Sequence, residues 1–267
     1  MILTQENYYS NEADWHYMSV SQYKSFIQCE AQTMAKLKGE YEESSSDALL
    51  LGSYVHAAIE GTEALELFKQ QNPEIFCSTG KNKGELKAEY KQADKMIESV
   101  LSDEICSRML QGEKEVIITA ELFGTLWKAK LDVYAPDEGR FTDLKTVKAI
   151  REKYWLGDRY GSFVEAYGYT IQMAVYTELE RIHSRRFDRL EPLILAVSKE
   201  DEPDKALICF DEQMIEQELT KVHENLPRII EVKNGEREPE RCERCRYCRK
   251  TKKVQGMIHY MSLLEVV

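Results

Sequence analysis

A mixed α/β (α+β) domain with a central mixed sheet flanked by helices is the fold this sequence predicts. Three observations lead there. Three short segments rich in apolar and β-branched residues follow one another between residues 115 and 146, separated only by tight turns. Segments of helical period lie on both sides of them. Two further strand-like runs, at 193–197 and 206–210, sit between helices, so the elements are mixed without strict alternation.

Taken in order, residues 1–18 are polar and aromatic and read as an irregular lead-in. Ser19 is a natural N-cap with Gln22 at the capping-box position. Apolar residues at Tyr23, Phe26, Ile27, Met34 and Leu37 keep a rough helical period from there to the stop at Gly39. The acidic, serine-rich stretch 39–47 is a surface link and holds the only low-complexity tract, Ser44 to Ser46. A second helix is predicted over 48–68, an exposed loop over 69–87, and a third helix over 85–110 with Met96, Ile97, Val100, Leu101 and Ile105 on its apolar side. Strands at 115–123, 125–134 and 140–146 form an antiparallel meander. Residues 163–183 read as one long helix, and 211–232 as another, capped by Asp211 and interrupted near its end by Pro227. The chain is read as one domain over residues 1–267, with an N-terminal helical segment at 1–45 and a cysteine-rich basic tail at 236–267.

The 267 residues suffice for a sizeable core, and 43% hydrophobic with 31% charged residues is ordinary globular composition. No apolar run reaches 18 residues and no leader is legible at the N-terminus, so a cytoplasmic protein without a membrane partner is expected. A net charge of −11 argues against a nonspecific coat on nucleic acid, yet leaves room for an enzyme with a local basic groove. The seven cysteines are odd in number, which disfavours a disulfide framework.

The chemistry gathers on the hairpin around Pro136-Asp137-Glu138-Gly139. Asp143 and Lys145 share one face of a strand while Leu144 points the other way, and the hairpin can bring Asp132 alongside. Adjacent carboxylates repel unless a cation or proton lies between them. Asp132, Asp143 and the Leu144 carbonyl offer the oxygen ligands that Mg²⁺ prefers, with Lys145 left to face a phosphate or a water. An exposed hairpin with ordinary surface charges reads the same triplet as well. His56, with Glu60 one turn later, is either a satisfied helical histidine or an imidazole ligand of a metal such as Mn²⁺. Glu121 ends the preceding strand and either reaches the metal region or is a sheet-edge charge. Gln172 and Tyr176, one turn apart, contact DNA phosphates, hold the lysine, or form a plain polar helix face.

Cys242, Cys245 and Cys248 are a dense thiol cluster, and Cys29 is the candidate fourth ligand for Zn²⁺ or a [4Fe–4S] cluster; reduced, unmetallated thiols are the alternative. Around them lie Arg241, Arg244, Arg246, Arg249, Lys250, Lys252 and Lys253 with Tyr247, a patch suited to phosphate backbone or a solvated basic tail.

The ordered series GSYVH (Gly52 to His56), KAKLD (Lys128 to Asp132), DLKT (Asp143 to Thr146) and QMAVY (Gln172 to Tyr176) resembles the PD-(D/E)XK nuclease superfamily. Its RecB-type branch and the RecE-like phage exodeoxyribonuclease VIII domain are the nearest likenesses, over most of the chain from Ser19 to the cysteine tail. The resemblance implies a restriction-endonuclease-like core, with His56, Asp132 and Asp143 as metal ligands, Lys145 as catalytic lysine, and Gln172 with Tyr176 contacting DNA and ordering the site. Glu121 falls where relatives carry an acidic residue before the central motif. Cys29 with Cys242, Cys245 and Cys248 resembles the staple of iron–sulfur nucleases of the AddB and CRISPR-associated kind, though with a shorter last gap.

The activity implied by the resemblance is that of a Mg²⁺- or Mn²⁺-dependent DNA exonuclease acting on linear duplex ends in phage or prophage recombination. Its implied companions are a single-strand annealing partner and a homo-oligomeric ring. The competing readings are a DNA-binding or recombination module on an inactive nuclease fold, and a structure-specific endonuclease.

Overall fold

The computed structural model of the chain describes residues 1–42, 47–254 and 256–263. The serine-rich tract predicted at 44–46 lies outside the described residues. Strand β1 (Glu113–Leu122) turns over Phe123 and Gly124 into β2 (Thr125–Ala135). Both turn residues have positive φ, 52° and 73°, as a two-residue hairpin of matching twist requires. A second turn, Pro136–Glu138, ends at left-handed Gly139 and feeds β3 (Arg140–Val147), completing the predicted antiparallel meander. A short ribbon of β4 (Tyr154–Trp155) and β5 (Tyr160–Gly161) stands apart from the main sheet. Strand β6 (Glu191–Ser198) pairs parallel with β3, and β7 (Lys205–Cys209) pairs antiparallel with β6. The mixed sheet therefore has the order β1-β2-β3-β6-β7.

Helices α1 (Asn11–His16), α2 (Val20–Gln28), α3 (Glu30–Leu37), α4 (Asp47–Glu60), α5 (Thr62–Gln71), α6 (Ala88–Leu101) and α7 (Glu104–Met109) precede the sheet. Helices α8 (Phe163–Ala166) and α9 (Tyr169–His183) make the crossover that a parallel β3–β6 pair demands, and α10 (Glu212–Lys233) and α11 (Arg246–Lys250) follow it. Side-chain alternation along β6 sorts the helices into two layers. Ile194 and Ala196 face a core shared with Tyr23 of α2, Met173 and Leu179 of α9, and Val222 of α10. Leu195 and Val197 face the other core, with Tyr54 of α4 and Met96 of α6. The sheet is covered on both faces, which explains the continuous apolar run of β6.

Several predicted helices are divided, each for a local reason. The one predicted from Ser19 breaks at Cys29, whose extended backbone (φ −167°, ψ 103°) ends α2 and caps α3 through its sulfur. Ile27, within α2, is exposed. The helix over 48–68 breaks at Gly61 (φ 151°), and that over 163–183 at Gly168 (φ 63°). The third helix begins at Ala88, and Asp103 starts a separate helix by accepting the Cys106 N–H at 3.0 Å. Pro227 does not end α10; it lies on the exposed face, where water can satisfy the carbonyl its ring leaves unbonded. The segment over 69–87 is not wholly exposed, because Ile75 is fully buried. Among the first 18 residues, α1 is helical and capped by Ser10.

Buried cations tie the N-terminal segment down. Ser19 caps α2 as predicted, but Gln22 turns away from the capping box to donate to the Asp14 carbonyl. Lys128 donates to Asp14 Oδ1 at 2.7 Å and to the Tyr8 carbonyl. Lys233, at the end of α10, donates to the carbonyls of Asp14 and Tyr17 and to Gln22 Oε1, at 2.7 to 3.0 Å. Replacing that ammonium with a thioether of similar length strands buried acceptors. Lys233→Met is expected to lose roughly 1–3 kcal/mol of stability, measured by urea denaturation; an unchanged midpoint would remove Lys233 from the framework.

Candidate active site

Strands β2 and β3 pair at Ala135↔Arg140, Tyr134↔Phe141 and Val133↔Thr142. The next step in register would place Asp132 opposite Asp143, and there the ladder stops. The Leu144 N–H instead donates to Asp132 Oδ2 at 2.8 Å, so a side chain takes over a bond the partner backbone would have received. Beyond this fork the strands part and an open cleft of about 1580 Å³ begins, lined by Asp132, Asp143, Lys145, His56, Gln172 and Tyr176 among others. The alternation predicted for β3 holds: Leu144 is buried among α4 and α6, while Asp143 and Lys145 face the cleft.

Helix α4 delivers His56 from the opposite layer. Its Nε2 lies 3.1 Å from the Leu144 carbonyl, and a carbonyl can only accept, so the ring proton belongs on Nε2. That leaves the Nδ1 lone pair facing Asp132 Oδ2, 3.6 Å away. The Leu144 carbonyl, expected to serve as a ligand, thus orients the imidazole, a common supporting arrangement for metal-binding histidines. Glu60 also borders the cleft but is not part of this group.

The acidic residue contributed by β1 is Glu115, not Glu121. The β1–β2 register pairs Lys114 with Val133 and Val116 with Leu131, which sets Glu115 opposite Asp132. Glu115 has a φ of 53°, a conformation costly for a residue with a side chain, and it interrupts the ladder there. Glu121 pairs with Leu126 near the hairpin tip, six residues and about 20 Å further along the strand, and is exposed. Ligand atoms of His56, Glu115 and Asp132 all lie within 4.8 Å of one another. One imidazole nitrogen and carboxylate oxygens suit a divalent ion such as Mg²⁺ or Mn²⁺. Electrostatics agree with that fit. Burial raises the Asp132 carboxyl to about 6, His56 and Lys145 act to lower it, and Asp143 and Glu115 reinforce the rise. A bound cation would relieve that crowding of negative charge.

Asp143 is almost wholly buried and is held from two sides. Gln172 Nε2 donates to its Oδ1 at 2.7 Å, and the Lys145 ammonium lies 2.6 Å from its Oδ2. That oxygen has no hydrogen bond of good geometry. Gln172 therefore holds the carboxylate of Asp143 and not the lysine, while still bordering the cleft. Burial acts to lower the Lys145 ammonium, but Asp143 and Asp132 outweigh it and the net shift is upward. The ammonium also sits over the Tyr169 ring, 4.9 Å from its centroid. Tyr176 borders the same cleft, and burial, with Tyr8, Asp143 and Asp132 nearby, pushes its phenol well upward.

Further lysines complete the cleft. Lys130 pairs with Glu115 at 2.5 Å, and it shares a strand face with Lys128 and Asp132, a period-two signal within KAKLD. Lys24 of α2 borders the cleft, lies 5.5 Å from the Tyr169 ring centroid and donates to the Tyr167 carbonyl at 2.9 Å. Burial lowers it to about 8, with Lys145 adding to the fall and Asp143 opposing it.

The four predicted thiols also converge, away from this cleft. Cys29 Sγ lies 3.5 Å from Cys248 Sγ and 3.8 Å from Cys245 Sγ, and Cys242 Sγ is 4.0 Å from Cys248 Sγ. Two of the basic residues beside them make local bonds: Arg241 holds the Cys248 carbonyl at 2.7 Å and an ion pair to Glu243, which also receives Lys252.

No curated protein matches the chain. A crystal structure of a "putative exonuclease" from Eubacterium rectale matches with a TM-score of 0.92 and 42% identity, covering 100% of both chains. The crystal structure of SSO0001 gives a TM-score of 0.27 at 13% identity over 85% of this chain and 90% of the other, too weak a likeness to bear on the fold. The family described as a PDDEXK-like domain of unknown function (DUF3799) matches residues 19–251. With the forked strands, the Asp143-Leu144-Lys145 triplet and a match across most of its length, this chain belongs to that PDDEXK-like family.

Proposed function

We propose that the protein is a metal-dependent DNA exonuclease that hydrolyses phosphodiester bonds at the ends of linear duplex DNA. The observation that carries the reading is the convergence of His56, Glu115 and Asp132 with the Lys145–Asp143 pair in one cleft. The exonuclease description of a fully covering neighbour at 42% identity supports the end-directed form of the reaction. A place in phage or prophage recombination, with an annealing protein receiving the single strand and a ring of subunits around the duplex, belongs to the same reading.

A divalent ion held by His56, Asp132 and Asp143, with Glu115 beside them, would supply Lewis-acid polarisation of the scissile phosphate and an activated water. The chain's own residues do the positioning. The Nε2–H bond to Leu144 fixes the His56 ring so that Nδ1 faces the carboxylates. Gln172 prevents Asp143 from turning away by holding Oδ1. Lys145, steadied over Tyr169, offers its remaining N–H groups to the attacking water and to the charge that grows on the phosphate. Lys24 adds a second cation beside the same Tyr169 ring, placed for a neighbouring phosphate. Cleft lysines give the acidic chain a local attraction for the DNA backbone that its net charge conceals.

Three outcomes are expected. Asp143→Ala abolishes Mn²⁺- or Mg²⁺-dependent release of nucleotides from linear DNA while binding persists, and closed circles stay intact with the unaltered protein; nicking of circles would replace the exonuclease with an endonuclease. Lys145→Ala lowers kcat about 10²–10⁴-fold with little change in KM, read in single-turnover digestion. Lys24→Met raises KM for DNA several-fold and leaves kcat nearly unchanged, and its effect shrinks as salt rises; a kcat defect alone would move Lys24 out of the phosphate-binding role.

A further inference from the structure

We infer that Cys29, Cys242, Cys245 and Cys248 bind a single tetrahedral Zn²⁺ ion and not a [4Fe–4S] cluster. The inference goes beyond the nuclease reading and does not depend on it, because the thiols lie outside the cleft.

The spacing of the sulfurs decides between the two groups. Four thiolates around one zinc at about 2.3 Å mark the corners of a tetrahedron whose edges are about 3.8 Å. In a cubane each cysteine binds its own iron at a separate corner, which places the sulfurs roughly 6 Å apart. Here the sulfur separations are 3.5, 3.8 and 4.0 Å for three pairs, and all four atoms lie within 4.8 Å of one another. The site is too small for a cubane and fits one ion. It is not a pair of disulfides, because a bonded pair of sulfurs stands about 2.05 Å apart.

The surroundings fix these distances through the protein's own bonds. Cys29 stands at the break between α2 and α3, and its sulfur accepts the Gln32 N–H at 3.4 Å. The two C-x-x-C steps repeat the same motif: Cys242 Sγ accepts the Cys245 N–H, and Cys245 Sγ accepts the Cys248 N–H, both at 3.3 Å. Three sulfurs thus receive backbone N–H groups, which fix their orientation toward one another. Farther out, Glu30 of α3 takes Arg228 in a two-pronged pair at 2.6 and 3.0 Å and accepts the Glu240 N–H at 2.7 Å. The Ala31 N–H reaches the Glu240 carbonyl at 3.0 Å. These bonds hold the tail against α3 before the sulfurs are counted. Cys29 and Cys248 are buried, which shields the ion from exchange and the thiolates from oxidation.

The test is metal analysis of full-length protein expressed with iron and zinc both supplied and purified without oxygen. Asp132→Asn protein is used, so that an ion in the nuclease cleft does not enter the count. The expected result is about one zinc per chain and a colourless solution. Protein expressed with Co²⁺ in place of zinc then gives the intense thiolate-to-cobalt absorption of a tetrahedral sulfur site. Cys245→Ser loses the ion, whereas Cys209→Ser, at an exposed cysteine outside the cluster, keeps it. About four irons per chain with broad visible absorption would overturn the assignment, and so would thiols that stay metal-free with zinc present. Both of these readings come from protein with all four thiols intact, so misfolding of a cysteine variant cannot obscure them.

Discussion

The site depends on a single departure from regular sheet structure, the fork between β2 and β3. Antiparallel strands normally continue their ladder until one ends. Here both continue as strands while pairing stops at Val133↔Thr142, and the Asp132 carboxylate satisfies the Leu144 N–H. A buried N–H without a partner would cost about 1–3 kcal/mol, so the carboxylate is what makes the fork tolerable. The same atom, Oδ2, faces His56. One oxygen therefore stabilises the opening of the sheet and points into the space created by it.

Charge follows from that geometry. Acidic groups brought into a partly dry cleft must find cations, and the chain provides them in alternation: Lys145 beside Asp143, Lys130 beside Glu115, Lys128 beside Asp14. These pairs explain how a protein of net charge −11 keeps a cleft that can meet phosphate. Hydrogen bonding completes the arrangement at Asp143, where Gln172 reaches across from α9. The crossover helix and the parallel β3–β6 pair thus share one purpose, since the connection that joins the strands also supplies the residue that orients the carboxylate.

Local pattern makes much of this legible. The meander is readable because turn residues and β-branched runs act within a few residues of one another, and the Asp143, Leu144, Lys145 alternation because a strand has a period of two. Helix breaks at Cys29, Gly61 and Gly168 are hidden in the sequence because each needs only one residue to leave helical geometry while apolar periodicity continues across it. Glu115 is obscure for a different reason. Its position opposite Asp132 is a property of strand register, and the three glutamates of β1 look alike until the hairpin turn is placed. Gln172 stands out by motif but its target does not, since a helix shows which residues share a face and not which atom lies across from it.

Three of the contacts that secure the first helices come from the other end of the chain. Cys29 meets Cys248 across 219 residues, Tyr17 meets Lys233 across 216, and Glu30 meets Arg228 across 198. A ribosome makes the N-terminal half of each pair first and must add nearly the whole protein before its partner exists. Contacts so far apart in sequence form late in folding. A chain halted before residue 228 would have its sheet and cleft strands, and Lys128 to hold Asp14, but none of these three fastenings on the helices at its start.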